Sequence, residues 1–498
     1  MKQRIGWILL GAGCLIRLIV FLQNRSIHMD AANLARNIIE KDIASFFQPL
    51  DYQQYAPPLF LVWEKLHTLL LGNNEYALRL LPLLSGCLLL WFWWKTSGAL
   101  KLSWAISLVG LWLLAFSPFQ IRYSTEVKQY ATDAAVAMGL LLLATRIPLG
   151  KLHALGQIGT PRRWISWMLI GSLAIWGSMP SIFVLTGVGG YYLWQLMEDY
   201  KATTLRYLLM IGAVWLASFA LYYFTVLKAD LGNEALSNYH QAYFLPLLPS
   251  SGEQWWQWAN IFRSLLRHTF GFTTLAIASG GLGLLLGGYA LWQNSRAHFF
   301  LLALPVLSCL LASGLGYYSL IPRLTLFLLP ILLLFYASGL QFLWENLKGY
   351  WKIVLLALVL PCLVLQTGFR YALQPLETAE LRPLLAYLKR SYQPDQLVLI
   401  TDGAAPAYYF YSNLHDRKAD FQFEHTYIAS WDEWPVHVLE RTGAFTERWL
   451  VFSHLISAGA EQKKSQWLEE GTAQNNQLLR SIDTEGASVV LLKQSKSD

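Results

Sequence analysis

At 498 residues, 55% hydrophobic and only 14% charged, with 22 Trp, the chain carries too much apolar and aromatic character for an ordinary soluble or disordered protein. It reads as an α-helical polytopic membrane protein. The formal net charge of +7 suits anionic membrane lipids or a lipid phosphate, and no nucleic acid is expected as a partner.

Backbone polar groups must be satisfied internally in hydrocarbon, so apolar runs of about 20 residues are read as crossing helices. Eleven are expected, at 5–22, 79–95, 103–119, 130–147, 164–179, 181–197, 206–227, 270–292, 298–316, 324–343 and 351–368. Lys2 and Arg4 before the first run resemble a signal sequence, but no small-residue cleavage site closes it, so it is read as an uncleaved helix. Gly11-Ala12-Gly13-Cys14 is a poor lipoprotein box, because Gly11 stands where Leu belongs. Arg17 inside this run is expected to snorkel or to pair with an internal acid.

The apolar stretch from Pro57 to Leu71 holds Glu64, Lys65 and His67 in its middle, and charge placement decides its reading. If it does not span, Lys95, Lys101, Arg146, Lys151, Arg162, Arg163, Lys201, Arg206, Arg296, Lys348 and Lys352 all fall on the cytoplasmic side with Lys2 and Arg4. Counting it as a twelfth span would send nearly all the later cations outward, against the positive-inside rule. It is therefore expected to be an amphipathic helix at the outer interface, within one large external loop over residues 23–78. The chain is then a multi-pass protein of the cell (inner) membrane with a cytoplasmic N-terminus.

The long segment from Lys228 to His268 reads as a loop, with Trp255, Trp256 and Trp258 as interface anchors. Gly280-Gly281-Leu282-Gly283, with Gly287-Gly288, lies inside a span and reads as close helix packing. Cys14, Cys87, Cys309 and Cys362 all fall inside expected spans, which argues against a disulfide framework or a thiolate metal site. Composition shifts after residue 368. Residues 369–498 hold 17 of the 31 acidic side chains and 13 of the 38 Lys and Arg, so this tail is acidic and the remainder strongly basic. Gln396–Thr401, Trp449–Ser453 and Ala487–Lys493 read as buried strands between helical stretches at Glu377–Ser391 and Gln462–Glu470. A membrane domain over 1–368 and a small extracytoplasmic α/β domain over 369–498 are the expected division.

Polar residues at the outer ends of spans are costly to keep without a use. Three clusters share the expected outer side. One holds His28, Asp30, Asn33, Gln53, Gln54 and Tyr55; the second is Arg122-Tyr123-Ser124-Thr125-Glu126-Val127-Lys128-Gln129-Tyr130; the third is Tyr317-Tyr318-Ser319-Leu320-Ile321-Pro322-Arg323.

With these residues the chain resembles the polyprenyl-phosphate-dependent GT-C glycosyltransferases, the superfamily of protein O-mannosyltransferases and lipid A aminoarabinose transferases. The resemblance covers about residues 5–345. It rests on the order of Asp30, Pro57-Pro58-Leu59, Gly72-Asn73-Asn74-Glu75-Tyr76-Ala77-Leu78-Arg79-Leu80-Leu81-Pro82, Glu126-Val127-Lys128-Gln129-Tyr130, and Arg323 before Pro330. It implies that Asp30 is the catalytic base and that the first external loop houses the acceptor. Ala31 stands where many relatives have Glu, Gln53 and Gln54 where many have Lys or Gln before the Pro-Pro pair, and Lys128 where Arg is common.

The chemistry of such a transfer matches these residue types. A phosphomonoester is already a good leaving group, so the site needs cations rather than a second carboxyl as acid. Asp30 is expected as general base and Arg323 as first contact for the donor phosphate, with Arg122 and Lys128 behind it. Glu126, His28, Gln53, Gln54, Tyr55 and Tyr130 are expected around the substrates. Glu126 is open to three roles: orienting a cation, binding acceptor, or ligating a divalent metal. No His or carboxylate cluster has decisive metal spacing, so no cofactor is assigned. The implied partners are a polyprenyl-phosphate sugar donor, a glycan, lipid or protein acceptor, and membrane lipids.

Blander readings stand beside these. Asp30 could cap the helix that starts near Ala31; Glu126 and Lys128 could form a surface ion pair; Arg323 could only anchor a helix end. The rival function is a transporter or flippase of lipid-linked sugars, which usually shows two corresponding repeats and polar groups at mid-depth. Neither is visible in this chain.

Overall fold

The computed structural model describes residues 2–147, 160–228, 239–271, 273–355, 359, 367–374, 379–430, 438, 441–474 and 476–494. In chain order its first helices are α1 (Lys2–Leu22), α2 (Met29–Glu40), α3 (Pro58–Leu71), α4 (Glu75–Ala99), α5 (Trp104–Ala115), α6 (Pro118–Tyr123) and α7 (Tyr130–Arg146). They are followed by α8 (Thr160–Gly177), α9 (Ser181–Glu198), α10 (Ala202–Tyr222), α11 (Gly252–Phe270), α12 (Thr274–Asn294), α13 (Arg296–Gly314) and α14 (Leu328–Asn346).

Six of the described helical stretches are long and apolar enough to cross a bilayer, namely Arg4–Leu22, Glu75–Ala99, Ala202–Leu227, Thr274–Asn294, Arg296–Gly314 and Leu328–Asn346. Helices occupy the first ten expected span positions, and the chain is a membrane protein. Of the eleventh, residues 350–355 are helical, while most of 356–366 lies outside the described residues.

Local sequence explains where these helices begin and break. Asn74 caps α4 by accepting from the Ala77 amide at 3.1 Å, with Glu75 in the first turn. α5 is only 12 residues long because Ser117-Pro118 starts a new helix across the chain's path. Its freed carbonyls are met by Arg17. That side chain is fully buried, donating to Ala115 O and Gly13 O at 2.8 Å, to Leu114 O at 3.3 Å and to Ser124 Oγ at 3.2 Å. Arg17 therefore neither snorkels nor pairs with an acid, as the sequence suggested; it serves backbone groups that hydrocarbon would leave unpaired.

α3 has 14 residues, roughly 21 Å at 1.5 Å per residue, too short for a hydrocarbon core of about 30 Å. Its charges do not all face water. Glu64 is fully buried, and Lys65 Nζ donates to Ile39 O at 2.8 Å, while Trp63, Leu69, Leu70 and Leu71 are exposed.

The segment expected as a loop before His268 contains α11, an amphipathic helix of 19 residues capped by Ser251. Trp255 and Trp256 point outward, but Trp258 packs inward and donates to Pro246 O at 2.6 Å. The Gly-rich run in α12 does serve close packing, since a methyl group at Gly287 would run into the Phe335 carbonyl of α14.

Beyond the membrane helices, α15 (Leu381–Ser391), α16 (Ala405–Tyr409) and α17 (Ala458–Ala473) accompany one five-stranded sheet. Its strands are β1 (Leu397–Thr401), β2 (Thr426–Ala429), β3 (Glu447–Ser453), β4 (Asn476–Thr484) and β5 (Ala487–Gln494), in the order β2-β1-β3-β5-β4. β1 runs parallel to β2 and β3, and β5 antiparallel to β3 and β4. The strand alternation separates two faces. Leu399, Leu450 and Phe452 pack with Trp467 of α17. Val398, Ile400 and Val451 join Leu384 and Leu388 of α15 in a core that also takes in Ala31, Ala32 and Leu34 of α2 and Phe60 of α3. The segment between α1 and α4 and the C-terminal sheet thus share one hydrophobic core.

Polar groups reinforce that junction. Ser26 N lies 3.2 Å from both Glu380 carboxylate oxygens, and Tyr411 Oη accepts from Ile27 N at 2.9 Å. Arg382, Tyr411 and His415 converge on buried Glu75 at 2.7, 2.8 and 3.0 Å. Asp416 accepts from the Asn73 amide at 2.7 Å. The Gly72-to-Arg79 motif is therefore the seat of the C-terminal unit.

Candidate active site

α2 begins directly after an extended residue, His28, whose Nδ1 accepts from the Ala31 amide at 3.3 Å. His28, not Asp30, is the cap. Asp30 follows in the first helical turn, where the partial positive charge of the helix start favours a carboxylate. The other ring nitrogen of His28 lies 2.9 Å from Glu126 Oε1.

Glu126 lies in the turn between α6 and α7 and is almost wholly buried. Arg25 approaches its second oxygen at 3.5 Å and also donates to Thr125 Oγ1 at 2.9 Å. Burial alone would raise this carboxyl, but His28 and Arg25 outweigh it and hold it well below the usual carboxylate range. The surface ion pair with Lys128 that the sequence allowed does not form. Lys128 Nζ instead donates to Gln54 Oε1 at 2.7 Å. Desolvation pulls its pKa down to about 8, with Asp30 opposing and Arg323 adding to the shift.

Tyr55 joins the same wall. Its carbonyl accepts from Gln129 Nε2 at 3.4 Å, and its hydroxyl meets that of Tyr222. Gln53 is exposed on a turn with a left-handed backbone, φ 53°, and makes no hydrogen bond among the described residues. Arg122 is half-buried beside the Tyr123 ring, its charge felt at Glu126. The structure joins neither Gln53 nor Arg122 to Asp30.

Arg323 is brought there. It lies in the turn before α14, and its Nη1 is 3.7 Å from Asp30 Oδ2. Its Nη2 donates to Tyr239 Oη at 3.5 Å, with the guanidinium 5.7 Å from that ring's centre. Tyr130 and Tyr123 stand edge to face at 5.1 Å and complete the aromatic side. Asp30 accepts no hydrogen bond among the described residues, and its side chain is 37% exposed. Burial would raise its pKa; Lys128, His28, Arg323 and His454 together bring it below the ordinary value.

Arg25, Tyr239 and His454 were missed in the sequence. Arg25 could have been noticed beside His28. His454 gave no signal, since it sits in the turn after β3, with a left-handed backbone unusual for its residue type, φ 64°. Its imidazole is lowered by burial and by His28, with Asp30 opposing. Among the described residues no group of three His, Cys, Asp or Glu could hold a metal ion, and Glu126 is already engaged by Arg25 and His28.

The arrangement is a half-open carboxylate ringed by cations and tyrosines at one end of a helical membrane body. No protein-family model and no curated protein matches the chain. Solved structures do. The aminoarabinose transferase ArnT from Cupriavidus metallidurans bound to undecaprenyl phosphate superposes with a TM-score of 0.53 at 14% identity, over 98% of each chain. Its apo state gives 0.55 at the same identity and coverage. The apo oligosaccharyltransferase of Archaeoglobus fulgidus gives 0.54 at 12% identity, over 97% of this chain and 74% of that one. At such identities the likeness speaks to architecture, and the chain has the GT-C fold that the sequence resemblance implied.

Proposed function

We propose that this chain is an integral membrane glycosyltransferase that moves a sugar from a polyprenyl-phosphate donor to an acceptor on the extracytoplasmic side, with inversion at the anomeric carbon. The observation that carries the reading is the Asp30 carboxylate, free of hydrogen bonds among the described residues and 3.7 Å from the Arg323 guanidinium. The neighbouring folds support it, since one of them is a transferase bound to undecaprenyl phosphate.

In the reaction, Asp30 takes the proton of an acceptor hydroxyl or amine as that atom attacks the anomeric carbon. The bond from that carbon to the phosphate oxygen breaks, and its electron pair leaves on the polyprenyl phosphate. Arg323 and Lys128 face that developing charge, the first with a two-pronged fork and the second as a compact point charge. His28 and Arg25 hold Glu126, which fixes the turn carrying Lys128.

The cations also set the timing. In the free chain Lys128 and Arg323 depress Asp30 and make it a weak base. A bound phosphate would neutralise both, leaving burial to raise the carboxyl toward its task.

The test is a comparison of sugar content in glycolipids, polysaccharide and glycoproteins between cells lacking the gene and cells carrying wild type or Asp30→Asn. A sugar restored by wild type and absent with Asp30→Asn supports the assignment. Restoration by both would remove Asp30 as the base.

A further inference from the structure

Directly below the cations, α7 carries a second polar group that the mechanism does not use. Asp133 is one helical turn after Gln129 and Tyr130 and thus on their face of the helix. It is 7% exposed. Ser178, in the turn joining α8 to α9, lies beside the Asp133 carboxyl, and Ser181 begins α9. Asp133 Oδ1, Gln129 Oε1 and the Ser178 and Ser181 hydroxyls, all from buried residues, have no hydrogen-bond partner among the described residues. Buried polar atoms are nearly always paired, so several orphans in one neighbourhood mark a place for a missing partner.

The neighbourhood is continuous with the site. Gln129 directly follows Lys128, and its Nε2 donates to Tyr55 O at 3.4 Å. The Tyr318 ring packs edge-on at 5.0 Å against Phe183, two residues beyond Ser181, and its hydroxyl donates to Leu324 O at 2.8 Å, which ties the Arg323 turn to this region. The orphan set offers a carboxyl oxygen, an amide oxygen and two hydroxyls, so it wants a partner that both donates and accepts. A ring of hydroxyl groups does both, and an ionised phosphate only accepts.

We infer that Asp133, Gln129, Ser178 and Ser181 form a pocket for the hydroxyl groups of the sugar carried by the lipid-phosphate donor, and so select which sugar is transferred. This rests on the donor reading above. Lys128 and Arg323 take the phosphate, and the pocket takes the body of the sugar on the membrane side of Tyr130. Asp133 acts here as a specificity residue, distant from the proton transfer at Asp30.

The test uses the full chain in lipid nanodiscs, with binding followed by tryptophan fluorescence. The probes are undecaprenyl phosphate alone and the same carrier esterified to glucose, mannose, galactose or an aminopentose. Wild type is expected to bind one glycosylated carrier more tightly than the bare one. Asp133→Ala should lose roughly 3- to 10-fold of that preference, the usual net worth of a hydrogen bond, with affinity for the bare carrier unchanged. Asp133→Asn, nearly isosteric, and Ser181→Ala should each lose part of it and cover the case in which the alanine variant does not fold. If all three variants keep the wild-type preference, the orphan atoms hold structural water only and the pocket is overturned. A wild type that binds bare and glycosylated carriers alike overturns the pocket but leaves the donor reading standing. A wild type that binds no carrier sinks the donor reading, and the pocket with it.

Discussion

The Arg382 guanidinium stands 2.7 Å from the Glu75 carboxylate and ties the C-terminal unit to the first turn of a membrane helix. Removing it would strand part of a buried charge, which is the costly way to break such a pair. Arg382→Ala is expected to lower stability by about 1–3 kcal/mol, because Tyr411 and His415 still reach the carboxylate and Arg382 is itself partly exposed. The checks are a lower thermal midpoint and faster proteolytic loss of the tail. An unchanged midpoint would mean the junction rests on its apolar core alone.

Asp30→Asn should reduce transfer by about 10²- to 10⁴-fold, the usual range for a positioned base. The same variant should bind undecaprenyl phosphate more tightly, since it removes a carboxylate that competes with the phosphate for Arg323. Measuring rate and carrier affinity on one preparation separates loss of chemistry from loss of fold.

Arg323→Ala should raise the apparent donor constant by roughly 10- to 100-fold through the lost charged contact. Arg323→Lys keeps the charge but not the fork, and is expected to fall between the two. A donor constant that does not move with Arg323→Ala would take the residue out of the phosphate site.

Two groups give the pH profile its limbs. Protonated Lys128 is the form that pairs with phosphate, so donor capture should be full below about 8 and fall as pH rises through that value. Lys128→Arg should remove this alkaline limb. Asp30 must be ionised, so the rate falls as pH falls through its pKa, which lies below the ordinary value in the free chain. Phosphate neutralises the cations that depress it. The acid limb of kcat should therefore lie at higher pH than that of kcat/KM for the donor, and coincident limbs would contradict the coupling.

Glu64 offers a stability test away from the site. Burial with no hydrogen-bond partner among the described residues pushes its carboxyl well above the ordinary value, which favours the protonated form in the folded chain. The folded state then binds the extra proton, and its contribution to stability is lost as pH rises from the ordinary carboxylate range upward. Glu64→Gln should flatten that slope, and Glu64→Met should gain about 1–3 kcal/mol by removing an unsatisfied polar group. Parallel thermal midpoints at pH 6 and pH 8 in all three chains would contradict this.

Much of the fold was legible because hydrocarbon writes itself into sequence as long apolar runs, and charges at their ends show where they stop. Asp30, Glu126, Lys128 and Arg323 were singled out on that basis. What failed was direction. Nothing in Arg122-Tyr123-Ser124-Thr125-Glu126 tells that Glu126 turns to His28 while Lys128 turns to Gln54, because a turn of a few residues can send neighbours to opposite sides. The amphipathic α11 was hidden by its Trp and Arg content, which reads as loop when apolar length is the criterion. β2 and β4 were missed for a similar reason: one has four residues, and the other is mostly exposed and polar along its length. His454 was invisible because only the closed core brings β3 under α2.

That closed core bears on biogenesis. α2 is made early in synthesis, yet many of the core residues that cover its apolar face come from Leu381 onward. For most of translation the ribosome has not yet delivered them, and the half-built pocket around Asp30 lacks His454. A chain that stopped short of Leu381 would leave that apolar face largely uncovered, so α2 completes its packing only once the distant sheet has formed.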